Sequence, residues 1–279
     1  MSVGRVCLKG TWKIAEEAGQ TAVEFLAAQT PLSRSRIKDA MNKGAVWLKR
    51  QGKEKRLRRA QEVLQSGDVL DIAYDSHILE QVVAEPRLVM DWRDYSVWDK
   101  PPGMLSQGTR QGDHLSLLRW LEKSGMPSRP HWLVHRLDRE ASGLIMIAHT
   151  RKASAALSAL FQSRQLQKQY EVEVHLTEAL RRDLDAGGWV NLEHPLDGKP
   201  ARSRIRMLAA MNDAQPCDWL EVQIDTGRKH QIRRHLAGQG CPVLGDPAYG
   251  DARSADPRGL RLRAVGLEFR CPLRGQVRR

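Results

Sequence analysis

The spacing of apolar residues between Thr21 and Met41 predicts two short helices. Apolar positions fall mostly at helical intervals, and the pattern is interrupted at Thr30–Pro31, where a proline ends a helix. The second helix should begin at Leu32–Ser33, with the Ser33 hydroxyl capping its first turn. The apolar positions of the two helices are Val23, Phe25, Leu26, Leu32, Ile37 and Met41.

Short β-type runs replace the helical pattern after Gly44. A short apolar run follows Gly44, a glycine–lysine turn stands at Gly52–Lys53, and apolar residues alternate again through residues 66–74. Two helices followed by a hairpin and a closing strand indicate a small α/β domain.

The chain of 279 residues is long enough to form two domains. We expect the small domain to span residues 1–80. Residues 81–90 carry no strong periodicity and include Pro86, which favours an extended chain, so they are predicted to form a linker. Residues 91–279 should form the larger domain, with a first strand at Tyr95 that runs into a proline and glycine turn.

Three segments of the larger domain have strong patterns. Residues 144–148 form an apolar run typical of a buried strand, and residues 166–176 alternate between apolar and polar side chains. Residues 219–225 predict a further strand, followed by a turn and a helix that begins at Arg228 and ends near Gly238.

Composition narrows the class of protein. No apolar run approaches the length of a membrane-spanning helix, and the first residues lack the apolar core of a secretory signal, so we expect a cytoplasmic protein. The cysteines at 7, 217, 241 and 271 form no CxxC pair, which argues against disulfides and structural zinc. The net charge of +12 attracts polyanions and makes nucleic acid the leading class of partner.

Positive charge is concentrated between Arg34 and Arg59, where eleven Lys or Arg residues stand against two acids. Charge runs of this kind are often solvated faces, but apolar residues interrupt this one and can form a small core. The segment resembles the S4 RNA-binding module over roughly residues 18–75, with a longer and more charged loop, LKRQGKEKR, after the first strand. The resemblance implies RNA contacts from the second helix, through Arg34, Arg36 and Lys38.

Asp138 lies in the polar run HRLDREASG, directly before the apolar strand at 144–148. Loops that lead into a rigid sheet often carry catalytic residues, although a surface ion-pair network among Arg136, Asp138, Arg139 and Glu140 would produce the same string. These residues alone leave both interpretations open.

Two further segments carry candidate chemistry. Tyr170 should point inward from its strand, with Lys168 two positions earlier on the same face, and a tyrosine there is more often a core residue than a base-stacking or catalytic group. Arg228, His230 and Arg233 cluster near the start of the last predicted helix. No metal site is predicted, because His230 and His235 are spaced too unfavourably to share a helix face; an arginine aimed at a carboxylate fits better.

Taken together, these segments closely resemble the RluA-like family of RNA pseudouridine synthases. HRLDREASG matches the family's catalytic motif, KQY its second motif and TGRKHQIRRHLAGQGCPVLGDPAYG its third, in the right order; DKPPGML resembles its opening strand and turn. Ala141 and Lys229 stand where the family usually or often has threonine. The resemblance implies an α+β catalytic domain with a mixed, largely antiparallel central sheet, beside the small α/β S4-like domain.

The resemblance also implies roles for individual residues. Asp138 would be the carboxylate required to break the C1′–N1 bond of a uridine, by attack on C1′, attack on the base or removal of a sugar proton. Arg233 would be its ion-pair partner, Tyr170 would stack on the target base, and Arg136 would support the vacated place in the RNA. Lys168, Arg228 and His230 would contact RNA. No metal or organic cofactor is expected.

Two other classes of function remain open at this point. A glycosidase could use Asp138 and Glu140 as a carboxylate pair, although the basic charge balance disfavours a sugar cleft. A non-catalytic RNA-binding protein could rely on the S4-like module alone. The expected partner is ribosomal or transfer RNA, the expected state is a monomer, and the small domain is expected to be flexibly tethered.

Overall fold

The computed structural model describes residues 5–15, 19–163, 165–208 and 217–278. These residues form two compact units. The first contains the described residues up to Val83 together with Leu105–Pro127, and the second contains Ala84–Met104 and the described residues from Ser128 onward. Among the described residues, no helix combines the length and apolar character needed to cross a bilayer.

The elements follow one another in a mixed order of helices and strands. In chain order they are β1 (Cys7–Lys13), α1 (Ala22–Gln29), α2 (Arg34–Asn42), β2 (Val46–Arg50), β3 (Lys53–Arg56), β4 (Val69–Asp75), α3 (Ser76–Leu79), β5 (Arg87–Asp91), β6 (Tyr95–Lys100), α4 (Leu117–Ser124), β7 (Trp132–Leu133), β8 (Ser142–Ala148), α5 (Arg151–Ser163), β9 (Leu166–Val174), α6 (Glu178–Asp185), β10 (Val190–Leu192), β11 (Ser203–Met207), β12 (Asp218–Ile224), α7 (Gln231–Gly238), β13 (Leu262–Arg270) and β14 (Val277–Arg278), with a 3₁₀ turn at Ala252–Ser254 before β13.

The first unit confirms the two predicted helices. Thr21 caps α1, where its hydroxyl and the Glu24 carboxylate form a reciprocal capping box, and the Ser33 hydroxyl accepts a hydrogen bond of 3.3 Å from the backbone N–H of Arg36 in α2. The four antiparallel strands lie in the order β1-β4-β2-β3. Apolar side chains from both helices and this sheet, including Leu26 and Ile37, form the core.

The segment Leu105–Pro127 belongs to the first unit, whereas the predicted boundaries put it in the larger domain. Its contacts are with the β2–β3 hairpin and the chain that follows. Asp113 forms ion pairs with Arg56 and Arg58, and the guanidinium groups of Arg56 and Arg110 lie over the Trp47 ring, at 4.2 and 4.5 Å from its centroid. The contacts of Asp113 and Arg110 join positions more than fifty residues apart, so local sequence patterns do not reveal them.

The second unit is built on a ten-stranded sheet in which the main path runs β10-β11-β12-β9-β13-β8-β6-β5; β14 pairs with β13, and β7 with β8. Among the described strands, the one parallel pair is β13 with β8, and the other pairs are antiparallel. The predicted α+β class with a mixed, largely antiparallel sheet is therefore confirmed.

Two local expectations in the second unit were wrong. The predicted linker at 81–90 ends in strand β5, because the apolar run from Leu88 to Met90 pairs with β6. The last helix begins at Gln231 rather than Arg228, because His230 adopts a left-handed backbone conformation with φ of 53° and forms the N-cap.

Candidate active site

Asp138 lies on the loop between β7 and β8. The preceding Leu137 is buried, whereas the Asp138 side chain is 27% exposed. At the start of β8, Gly143 has φ of +105°, and a Cβ atom there would lie 2.1 Å from the carbonyl oxygen of Ala264 on β13. Only glycine permits this approach of the two strands, so the sequence after Asp138 fixes where the loop enters the sheet.

A buried lysine that the sequence analysis did not single out holds the base of this loop. Lys100 ends β6, and its three N–H donors are shared among the carbonyl oxygens of Pro101, Met104, Arg139 and Ala141, which lie 3.0, 2.8, 3.3 and 2.6 Å from Nζ. Burial lowers the pKa of Lys100 to about 7, against the opposing effect of nearby carboxylates. Because two of its acceptors flank Glu140, Lys100 orders the backbone directly after Asp138.

His135 fixes the other end of the loop. Its ring stacks on Phe161 with 4.3 Å between centroids, and its Nε2 atom accepts a hydrogen bond of 3.0 Å from the backbone N–H of Met146. Burial lowers the pKa of His135 to about 3, so the ring is neutral at physiological pH. An Nε2 atom that accepts leaves the proton on Nδ1.

Arg233, on α7, contacts Asp138, but its principal partner is another carboxylate. Its Nε and Nη2 atoms donate to the two oxygens of Asp246 at 2.8 and 2.6 Å. The Nη1 atom lies 3.3 Å from Asp138 Oδ2 and 3.9 Å from Glu140 Oε2. Although burial opposes its charge, the carboxylates of Asp246 and Asp138 raise the pKa of Arg233. The bidentate carboxylate partner of Arg233 is therefore Asp246, and Asp138 receives one of the three remaining N–H donors, from Nη1.

His230 approaches the other oxygen of the Asp138 carboxylate. Its Nε2 atom lies 3.9 Å from Asp138 Oδ1, and its Nδ1 atom lies 3.0 Å from the hydroxyl oxygen of Tyr249. Burial lowers the pKa of His230, which favours the neutral ring. His230 was expected to contact RNA; the structure places it beside Asp138.

Tyr170 lies on β9 and is 9% exposed. Burial and the charge of Asp138 both raise the pKa of Tyr170, so the phenol keeps its proton at neutral pH near this carboxylate. Lys168 precedes it by two positions on the same strand, with its Nζ atom 5.7 Å from the centroid of the Phe161 ring, and burial lowers the pKa of Lys168.

The other predicted RNA-binding residues lie in different surroundings. Arg136 is exposed on the same loop as Asp138. Arg228 donates from Nε to the carbonyl oxygen of Pro200 at 3.1 Å. In the first unit, the side chains of α2 expected to contact RNA are exposed and form no ion pair with a described residue: Arg34, Arg36 and Lys38.

This arrangement combines a half-exposed carboxylate, a buried cation that contacts it and a neutral phenol. A carboxylate and a phenol are among the side-chain groups that transfer protons to and from a bound substrate. Among the described residues, no cluster of His, Cys, Asp or Glu could hold a metal ion.

The sequence profile of RNA pseudouridylate synthases matches residues 94–238, which include Asp138, Tyr170 and Arg233. The chain belongs to this family. It is 34% identical over 246 residues to an uncharacterized RNA pseudouridine synthase from Chloroflexus aurantiacus, covering 82% of this chain and 75% of that protein. It is 28% identical over 265 residues to the ribosomal large subunit pseudouridine synthase D of Yersinia pestis, covering 87% and 76%.

The fold is also found in solved structures. Human RNA pseudouridylate synthase domain containing 1 matches with a TM-score of 0.57 and 20% identity over 70% of this chain and 82% of its own. Human RNA pseudouridylate synthase domain containing 4 matches with a TM-score of 0.51 and 24% identity over 66% and 84%. The protein is thus an isomerase that acts on RNA, and the glycosidase hypothesis is wrong.

Proposed function

We propose that this pseudouridine synthase isomerises uridines of ribosomal RNA, with Asp138 as its catalytic carboxylate and without a cofactor. The observation that carries the proposal is the position of Asp138, whose two oxygens lie 3.3 Å from the Arg233 guanidinium and 3.9 Å from the His230 ring. The guanidinium holds the carboxylate in a defined orientation, which each of the three possible first steps requires.

The isomerisation needs no external group, because uracil leaves C1′ through N1 and returns through C5. The proton lost from C5 balances the proton gained at N1. Tyr170 keeps its proton near neutral pH and is suited to stack against the base or to relay this proton.

Ribosomal RNA is favoured by the relatives. Proteins called ribosomal large subunit pseudouridine synthase D match this chain in Yersinia pestis at 28% identity and in Nitrosomonas europaea at 34% identity over 205 residues. Transfer RNA is the alternative substrate, and mapping of pseudouridines distinguishes it from ribosomal RNA.

The first unit is proposed to be an S4-like RNA-binding domain that acts in the cytoplasm on the same RNA. Its two capped helices and its hairpin follow the predicted order, and its α2 helix presents Arg34, Arg36 and Lys38 to solvent. Exposed guanidinium and ammonium groups bind backbone phosphates without reading sequence.

Pseudouridine mapping in total RNA from cells that lack this gene tests the proposal. We expect one or a few ribosomal uridines to lose modification, wild-type protein to restore it and Asp138→Asn to leave it absent. The exposed change Asp197→Asn serves as the control and should restore modification. Loss confined to transfer RNA would contradict the proposed substrate, and restoration by Asp138→Asn would contradict the catalytic role.

A further inference from the structure

Both side chains that approach the Asp138 carboxylate are held by one short loop. This positioning loop, Gly245–Gly250, follows α7 and contains Asp246 and Tyr249. Asp246 binds Arg233, and Tyr249 binds His230.

Asp246 is fully satisfied although its side chain is entirely buried. It accepts two hydrogen bonds from Arg233, and its Oδ1 atom also accepts from the backbone N–H groups of Ala248 and Tyr249, at 2.9 and 3.1 Å. A buried ion pair is tolerated only when its remaining hydrogen bonds are made, as they are here. The two parallel bonds fix the plane of the guanidinium and direct Nη1 toward Asp138.

Tyr249 determines how His230 presents its ring. The two rings meet edge to face at 5.6 Å, and the His230 backbone is held in the left-handed region, which is uncommon for a residue other than glycine. If the Tyr249 hydroxyl donates to Nδ1, the proton of the neutral ring lies on Nε2, which faces Asp138 Oδ1. The nearby carboxylate favours this tautomer.

The positioning loop is itself rigidly placed. Gly245 has φ of +69°, and a Cβ atom there would lie 2.0 Å from the carbonyl oxygen of Gly259. A Cβ atom on Gly250 would lie 2.4 Å from the carbonyl oxygen of Asp246. Backbone packed this closely on both sides of Asp246 gives the loop a defined shape.

We propose that Asp246 and Tyr249 are positioning residues that act through Arg233 and His230 to orient the two oxygens of the catalytic carboxylate. The inference rests on the proposed function, because it assumes that Asp138 acts on the uridine. It adds a second layer of residues whose removal changes turnover rather than RNA binding.

Asp246→Asn tests the arm through Arg233. It should lower kcat by roughly 10²-fold, the effect of misplacing a reacting group by about 1 Å, and leave KM for the RNA within about twofold. Asp197→Asn is the matched control, because Asp197 binds the adjacent Arg234 at 2.9 and 3.0 Å on an exposed face. Wild-type kcat in folded Asp246→Asn protein would overturn this arm.

Tyr249→Phe tests the arm through His230 and keeps the buried Arg233–Asp246 pair intact. We expect kcat to fall roughly two- to tenfold, the effect of losing one neutral hydrogen bond, and the ¹⁵N NMR signals of the His230 ring to shift from the Nε2–H tautomer toward a mixture. Tyr95→Phe removes a hydroxyl from a buried tyrosine elsewhere in the sheet and should change neither readout. Unchanged His230 signals with unchanged kcat would overturn the role of Tyr249.

Failure of the inference and failure of the proposed function are distinguishable. If Asp138→Asn abolishes turnover while Asp246→Asn and Tyr249→Phe retain wild-type kcat, only the positioning role is wrong. If Asp138→Asn itself retains turnover, the proposed catalytic role is wrong.

Discussion

Arg233 and Arg36 are both arginines on short helices, yet their surroundings differ completely. Arg233 is 2% exposed and has the carboxylates of Asp246, Asp138 and Glu140 within 2.6, 3.3 and 3.9 Å. Arg36 is exposed on α2 and forms no ion pair within the described part of the chain.

The difference separates two uses of positive charge. A buried guanidinium that is hydrogen-bonded to carboxylates is not available to bind RNA phosphates. It can instead fix the orientation of a reacting carboxylate. An exposed cation contributes little to folding. It remains free to bind an RNA phosphate and displace the counterions condensed on the RNA. Net charge alone does not distinguish them, because both count equally toward +12.

Replacing Arg233 should give the largest effect on stability. Arg233→Leu leaves Asp246 buried without its partner, so we expect a loss of about 3–5 kcal/mol in the free energy of unfolding, measured by urea denaturation. Arg234→Leu removes the neighbouring, more exposed pair with Asp197 and should cost about 0–1 kcal/mol. Equal losses in the two variants would erase the distinction between buried and exposed arginines.

Lowering the pH should destabilise the second unit, because His135 is buried as a neutral ring. Its pKa is about 3 in the folded protein against 6.5 in the unfolded chain, so between these values the unfolded chain binds the additional proton. This contribution to stability is complete above pH 6.5 and falls by about 1.4 kcal/mol for each pH unit below it. Urea denaturation at pH 6.5, 5.5 and 4.5 should show a steeper loss for the wild type than for His135→Gln. Identical slopes would contradict burial of a neutral ring.

Neutralising the exposed face of α2 should change RNA affinity and leave stability nearly unaltered. The combined change of Arg34, Arg36 and Lys38 to glutamine should reduce the log–log salt dependence of binding by roughly 0.7 for each lost contact to single-stranded RNA. Each exposed substitution should shift stability by no more than about 0.5 kcal/mol. Binding titrations over a range of salt concentrations measure the slope. An unchanged salt dependence would show that these three side chains are solvated and do not contact RNA.

The helices and strands that depend on short-range sequence were predicted from the spacing of apolar residues and from capping residues. The two helices of the first unit, the strand that follows the Asp138 loop and the strand that carries Tyr170 follow from apolar spacing and capping residues. The family resemblance implied Arg233 as a partner of Asp138, a contact that the structure contains. Whether these residues perform catalysis stays a prediction.

Long-range and backbone effects were missed. No periodicity in the sequence indicates that Arg233 pairs with Asp246. None indicates that Leu105–Pro127 packs with the first unit either. Lys100 ends strand β6, and only the folded chain shows that its ammonium group is buried among carbonyl oxygens. Sequence patterns also gave no sign of the left-handed conformation of His230, and the last helix therefore begins at Gln231 rather than at Arg228.

Single-turnover reactions of wild-type protein and Asp138→Asn on one unmodified RNA fragment that contains the target uridine test the catalytic role of Asp138. The account predicts that the variant binds the fragment with near wild-type affinity and forms pseudouridine at least about 10²- to 10⁴-fold more slowly. Pseudouridine formation by Asp138→Asn at the wild-type rate would contradict it.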